Sequence, residues 1–286
     1  MRAAHRITEG DLSKRLPVAH PKDEIGDLAA TINGMLSRLE KTLARLQETI
    51  ERQRRFVADA SHELRTPLTS IHSYAQMLEE WALRDPHIGP ESVAAIKRES
   101  ERMKGLVENL LELARGDEGM KLHLKDNNLT EVVEEAAESA RAAVNGKEVL
   151  IEYPPPKQRV QEEEEGVSAV FDRERLRQAL SILLDNAVKY TPEGGRVTIR
   201  IAEEDGSVGV EVADTGIGIP EDQILHVFER FYRAEEARST EGLGLGLSIA
   251  RQIAEDHGGS IEARSKPGEG STFIIRIPRG IPSSKE

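Results

Sequence analysis

A helical, self-associating module followed by a mixed α/β sandwich is the fold class that this sequence predicts. Three observations predict it. Apolar residues recur at steps of three and four through the N-terminal third, a proline- and glycine-rich break interrupts them, and beyond Gly116 short alternating strands join the helices.

The first helical stretch carries Ile25, Leu28, Ile32, Met35 or Leu36, Leu39, Leu43, Leu46 and Ile50. That is a coiled-coil seam, and read through Met35 it takes two successive steps of four, a stutter that alters supercoiling. Residues 56–83 and 93–114 form the next two helices, the second on Val93, Ile96, Ser100, Met103, Val107, Leu110 and Ala114. On the first of them Val57, Ala60, Leu64, Leu68, Ile71, Ala75 and Leu78 mark the buried face. Between the two, Arg84-Asp85-Pro86-His87-Ile88-Gly89-Pro90 is a tight connection, because proline and glycine end helices. One such hairpin cannot bury both faces, so a homodimer that pairs two of them into a four-helix bundle is expected.

In the C-terminal part, residues 196–202, 207–213 and 271–277 alternate as strands, and 129–144, 173–190 and 245–257 read as helices. Asp172 is placed to cap the second of these. The acidic run Glu162 to Glu165 ahead of Gly166 is a solvated, lengthened turn, and the residues after Pro278 fray. The expected division is a signalling coiled coil over 1–46, a hairpin over 47–116, the sandwich over 117–280 and a tail over 281–286.

Composition narrows the function. Acids outnumber Lys and Arg by 51 to 39, a net charge of −12, which disfavours nucleic-acid binding because that draws on basic surface. With no cysteine, disulfides, thiol catalysis and cysteine-ligated zinc are excluded. There is no apolar run of the roughly 20 residues that crossing a bilayer takes, and no signal peptide, so the sequence reads as a soluble intracellular chain.

Four stretches carry chemistry. In Ser61-His62-Glu63-Leu64-Arg65-Thr66-Pro67, His62 lies about 200° around the helix from Leu64 and faces solvent. An exposed imidazole can accept a phosphoryl group on one nitrogen, and Glu63 is the adjacent carboxylate that can orient the ring or take its proton. Thr66 shares His62's side, and Pro67 removes the amide that would bond the Glu63 carbonyl, so a bend is expected there. By itself, a histidine beside a glutamate is more often a solvated face than a site. Further on, Asn186, Lys189 and Tyr190 share one helix face with position 182, opposite Leu176, Leu180, Leu183 and Ala187. An amide oxygen suits magnesium, an ammonium suits phosphate and a phenol ring suits a base or ribose.

Asp214 continues the inward parity of Val208, Val210 and Val212, and a core-facing carboxylate needs a donor. An adenine amino group would supply one, with Gly216 and Gly218 letting the backbone approach. Gly242, Gly244 and Gly246 open a helix whose amides can hold phosphates. The intervening residues 232–241 are polar, as a lid would be, with Phe228 and Phe231 as its apolar latch.

Together these motifs resemble the sensor histidine kinases of two-component systems. Residues 61–67 resemble the H box, Asp185 to Pro192 the N box, and Asp214 to Pro220 the first glycine box. Phe228-Glu229-Arg230-Phe231 resembles the F box, and Gly242 to Leu247 the second glycine box. Asp11-Leu12 through Asp23-Glu24-Ile25-Gly26 resembles the end of a HAMP signal-transmitting module. The resemblance implies a dimeric bundle and a Bergerat-type ATP-binding sandwich, with His62 as phosphoryl acceptor and Glu63 as general base. It implies Asn186 as Mg²⁺ ligand, Lys189 and Arg233 on phosphate, Asp214 on adenine, and Thr66 in dephosphorylation of a response-regulator receiver domain. It also implies a membrane receptor of which this chain is a cytoplasmic fragment. The sequence departs from the pattern at Ile182, where many relatives carry a second asparagine. His72 is the runner-up acceptor, and His257 belongs to a helix end. A gyrase- or Hsp90-like ATP hydrolase or chaperone, and a non-catalytic scaffold, are the competing readings.

Overall fold

A computed structural model of the chain describes residues 15–16, 24–117, 121–144, 150–152, 166–204, 206–233 and 243–280. It divides into two compact units, residues 1–63 and 64–286. The expected acidic turn at 162–165, most of the expected lid and the C-terminal tail lie outside the described residues.

In the first unit, the seam and the His62 segment belong to one helix, α1 (Glu24–Glu80). No break separates the coiled coil from a second helix at Phe56, because nothing between them removes a helical hydrogen bond. Leu36 and Ala29 are buried, while Met35 is 64% exposed. Asn33 sits on the Leu36 side and clasps the Leu16 backbone, accepting from its N–H at 2.8 Å and donating to its carbonyl at 2.9 Å. Leu39, Leu43, Leu46 and Ile50 are exposed.

The second unit begins within α1, which continues through Pro67 and is followed by a 3-10 turn (Ala82–Arg84) and helix α2 (Ile88–Asp117). Helix α2 starts five residues before the predicted Val93. Asp85 accepts from the N–H groups of His87 and Ile88 at 2.9 and 3.0 Å, and Pro90 falls in the first turn, where its missing N–H leaves no bond unmade. Of the stripe predicted to be buried, Ala60, Leu64, Ile71 and Leu78 are half-buried within a single chain, while Val57 and Leu68 are 58% and 56% exposed, as expected of a face that a second hairpin is needed to cover.

The sandwich then runs β1 (Lys125–Asn128), α3 (Leu129–Ala143), β2 (Leu150–Glu152), β3 (Ser168–Phe171) and α4 (Arg173–Tyr190). It continues with β4 (Arg196–Glu204), β5 (Ser207–Asp214), the short α5 (Glu221–Ile224), α6 (Gly246–Asp256), β6 (Ser260–Lys266) and β7 (Gly270–Pro278). The main sheet has the order β2-β4-β5-β7-β6, antiparallel apart from the β2–β4 pair, and β1–β3 is a separate antiparallel ribbon. Helices α3, α4 and α6 form the second layer. Its core joins Leu176, Leu180, Leu183 and Ala187 of α4 to Val208, Val210 and Val212 of β5, all buried as their periodicity predicts.

Asp172 caps α4 by accepting from Arg175 N–H at 3.2 Å. Its own N–H donates to Nε2 of the buried His257 at 3.0 Å, and Nδ1 of that ring lies 2.7 Å from the Ile253 carbonyl. The second contact requires the proton on Nδ1, which leaves Nε2 as the acceptor. His257 therefore ties the end of α6 to the start of α4, a structural role as expected.

Candidate nucleotide site

One face of α4, the end of β5, the start of α6 and the middle of β7 enclose a cavity of about 260 Å³. It brings together Asn186, Lys189, Tyr190, Asp214, Gly218, Arg233, Gly244 and Gly246, all proposed from sequence. Gly216 and Phe231 are not among the residues that line it, and Gly242 lies outside the described residues.

Each wall has a local cause. Helix α4 is held at both ends, by Asp172 and by Thr191, whose N–H and hydroxyl both return to the Ala187 carbonyl. Pro192 follows and cannot continue the helix. The Tyr190 carbonyl accepts from Ile217 N–H at 3.3 Å, joining the helix end to the first glycine loop. Gly218 has φ +70°, and a Cβ there would lie 2.1 Å from the Lys266 carbonyl, so only glycine fits. That loop is pinned further by Gly268 N–H to the Ile217 carbonyl at 2.8 Å and by Ile219 N–H to Ser265 Oγ at 2.7 Å.

Asp214 is buried, and its Oδ1 accepts from Gly216 N–H at 2.8 Å and Ser271 N–H at 3.2 Å. Among the described residues no donor reaches Oδ2, which suits an exocyclic amino group. Burial pushes the carboxyl above the usual carboxylate range, against the lowering effect of the two N–H groups. Tyr190 is also pushed up by burial, with the Arg233 charge opposing, and Lys189 Nζ lies 5.0 Å from the Tyr190 ring centre.

At the other end, α6 begins at Gly246 with no side-chain cap, and the Ser248 hydroxyl turns back to the Leu245 carbonyl at 2.7 Å. The first-turn N–H groups are therefore left for an anion, reinforced by the helix dipole. Gly244 has φ +67°, and a Cβ there would sit 2.7 Å from the Tyr232 carbonyl, while its own carbonyl accepts from Phe231 N–H at 2.9 Å. Phe231 itself has φ 63°, a strained value for an aromatic residue. Gly244→Ala should therefore shift this junction. We expect nucleotide affinity to fall about tenfold or more and the melting temperature by a few degrees, read by titration and thermal melting.

Asn186 lines the cavity, and among the described residues nothing hydrogen-bonds its side chain. Asp185 beside it also lines the cavity, and burial pushes its carboxyl up. No cluster of three or more acidic, histidine or cysteine side chains able to cage a metal exists among the described residues. One or two oxygens without a cage fit Mg²⁺, which keeps waters and takes further ligands from phosphates.

Sequence reasoning missed Ser271, Phe273 and Val227 in the cavity wall. Ser271 and Phe273 come from β7, and only the β5–β7 register, Val212 against Phe273 and Ala213 against Thr272, places them beside Asp214. Phe228 packs edge-on against Phe273 with ring centres 6.3 Å apart, so it braces the sheet side of the cavity. Outside the sandwich, His62 and Thr66 are exposed on α1 and Glu63 is half-buried.

A two-layer sandwich with an adenine-suited carboxylate, a helix stripe of Asn, Lys and Tyr and a glycine-led anion end is the nucleotide-binding class of the Bergerat ATPases. The comparisons agree. Residues 171–281 match the histidine kinase-, DNA gyrase B-, and HSP90-like ATPase family, residues 52–119 the His kinase A (phospho-acceptor) domain, and residues 1–41 the HAMP domain. The chain is 39% identical over 257 residues to the sensor histidine kinase YkoH of Bacillus subtilis, an alignment covering 89% of this chain and 52% of that protein. It is 38% identical over 290 residues to the signal transduction histidine-protein kinase AfsQ2 of Streptomyces coelicolor, covering 97% of this chain and 51% of that one. The crystal structure of histidine kinase ThkA in complex with response regulator protein TrrA superposes with a TM-score of 0.61 at 26% identity, over 83% of this chain and 67% of that one. The chain belongs to the sensor histidine kinases of two-component systems. It spans about half the length of the curated relatives it matches.

Proposed function

We propose that this chain is an ATP-dependent protein-histidine kinase that phosphorylates His62 and passes the phosphoryl group to an aspartate of a response-regulator receiver domain. The observation that carries the reading is the cavity, with an adenine-suited acceptor at one end and a bare helix N-terminus at the other. Asp214 reads the adenine amino group, Tyr190 flanks the base or ribose, and Lys189 and Arg233 meet phosphate. Gly216 and Gly218 admit the base, Phe231 supports the loop at Gly244, and the glycine-led turn through Gly242, Gly244 and Gly246 holds the phosphates. Asn186 holds Mg²⁺, which when bound neutralises phosphate charge. His62 attacks, Glu63 takes the imidazole proton, and Thr66 orients water when the regulator is dephosphorylated.

The partners follow from surface and likeness. Leu39, Leu43, Leu46, Ile50, Val57 and Leu68 leave an apolar stripe on α1 that a second copy would cover as a homodimeric bundle. A receiver domain as the second partner is supported by the ThkA–TrrA likeness. The HAMP match supports a membrane receptor with this part on the cytoplasmic side. Among the described residues no helix is long and apolar enough to cross a membrane. The domain division proposed is 1–46, 47–116, 117–280 and 281–286.

The test is chemical. Incubation with γ-labelled ATP and Mg²⁺ should give protein-bound label that is acid-labile and alkali-stable, as a phosphoramidate is. Free phosphate with no labelled protein would favour the hydrolase reading, and failure to bind nucleotide the scaffold reading.

A further inference from the structure

We propose that Ser265, which does not itself line the cavity, makes the site selective for an exocyclic amino group by taking up the hydroxyl proton of Ser271. The proposal rests on the nucleotide reading above and adds to it a positioning residue that acts through a neighbour. Ser265 and Ser271 are cross-strand partners in the β6–β7 pair. Ser271 is buried and lines the cavity, and its N–H donates to Asp214 Oδ1 at 3.2 Å, which seats the residue beside the carboxylate. Ser265 is half-buried.

A serine hydroxyl has one proton and two lone pairs, and three neighbours use all of those on Ser265. It accepts from Ile219 N–H at 2.7 Å and donates to the Gly270 carbonyl at 2.8 Å. A carbonyl cannot donate, so the second contact fixes where the Ser265 proton goes. Ser271 Oγ, 2.9 Å away, must then be the donor of the pair, because Ser265 has only a lone pair left for it. The Ser271 proton is thereby spent inside the protein, and its oxygen offers the cavity lone pairs only. Beside it stands Asp214 Oδ2, an acceptor that no donor reaches among the described residues. Two acceptors with no donor suit the two N–H bonds of the adenine amino group. An oxygen in the same place would also only accept, and would leave both protein atoms unsatisfied.

The test compares ATP with an ATP analogue whose amino group is replaced by a methoxy group, which changes a donor to an acceptor and leaves the ring nitrogens as they are. Both affinities are measured with Mg²⁺ by displacement of a fluorescent ATP analogue, in the full chain carrying His62→Gln so that no transfer consumes the nucleotide. In Ser265→Ala the Ser271 hydroxyl can turn and donate to the ether oxygen. The preference for ATP over the methoxy analogue should then narrow about fivefold or more, with ATP affinity itself within about threefold of the parent. Ser265→Val and Ser265→Thr have nearly the same shape and repeat the comparison at constant packing. Valine should behave as alanine does, and threonine should hold the parent's preference within about twofold. In a Ser271→Ala background, Ser265→Ala should move the preference by less than about twofold, since the group it acts through is gone. An unchanged preference in both Ser265→Ala and Ser265→Val overturns the proposal, and so does a narrowing that persists without the Ser271 hydroxyl, which would run through Ile219 instead. If the parent binds no ATP, the reading of the pocket falls first, and the two failures are distinct.

Discussion

Asp214→Asn is expected to weaken ATP binding by about a hundredfold or more while leaving the fold intact. The amide keeps an oxygen for the Gly216 and Ser271 N–H groups, so the loop retains its 2.8 and 3.2 Å contacts. Its NH₂ then replaces Oδ2 and points a donor at the adenine amino donor. Losing a charge-assisted bond and leaving both donors unsatisfied costs about 3 kcal/mol, which is about a hundredfold. Guanine offers an acceptor at the corresponding position, so the preference for ATP over GTP should narrow in the same variant. Calorimetric titration with both nucleotides reads this directly. An ATP affinity within about threefold of the parent would remove Asp214 from base recognition.

The same substitution carries a stability prediction of opposite sign. Because burial raises the Asp214 pKa in the folded chain, the native state holds that proton more tightly than the unfolded chain does. The stability linked to this proton is fully present below the unfolded pKa and is lost as pH rises through the folded one. At neutral pH the native state therefore carries the cost of a buried charge. Asp214→Asn removes that cost, so its melting temperature should exceed the parent's at neutral pH and the gain should shrink on acidification. A site that weakens the fold to hold a ligand is the expected trade between stability and function.

The parts that were legible in the sequence are those written locally. Helix α4 was bounded correctly at both ends because an N-cap aspartate precedes it and a proline follows it. Strands β4, β5 and β7 announced themselves by alternation of Val, Ile and Phe. Of the missed strands, Ser168–Phe171 is apolar but only four residues long, and the others lack that signal. Lys125–Asn128 is wholly polar, Leu150–Glu152 is three residues long, and β6 is an edge strand whose apolar positions are only Ile261 and Ala263. These segments are strands because a neighbour supplies the ladder, which no local pattern encodes. The same reason hid Ser271. In the site, glycines and polar residues on one helix face were readable, but what lies across a strand pairing from Asp214 was not.

Helix phase also explained His62 only in part. It places the imidazole in solvent, as found, while one chain covers only part of the apolar stripe on the same helix. Periodicity states that a face needs cover, and not where the cover comes from.

His62→Gln is the second large effect expected. It should abolish acid-labile labelling, by about a thousandfold or to the detection limit, because no nucleophilic nitrogen remains at that position. Nucleotide affinity should stay within about twofold, since the cavity takes no wall from residue 62. The split between lost transfer and intact binding distinguishes an acceptor from a residue that merely supports the fold. Glu63→Gln should leave the acceptor in place and slow labelling by about 10² to 10⁴, with the loss smaller at high pH, where solvent takes the imidazole proton more readily. His72 is exposed on the same helix and supplies the control. Its replacement by glutamine should leave labelling at the parent's level, because no carboxylate follows it in sequence as Glu63 follows His62. Label that persists in His62→Gln and vanishes in His72→Gln would move the acceptor ten residues along α1, and with it the general base.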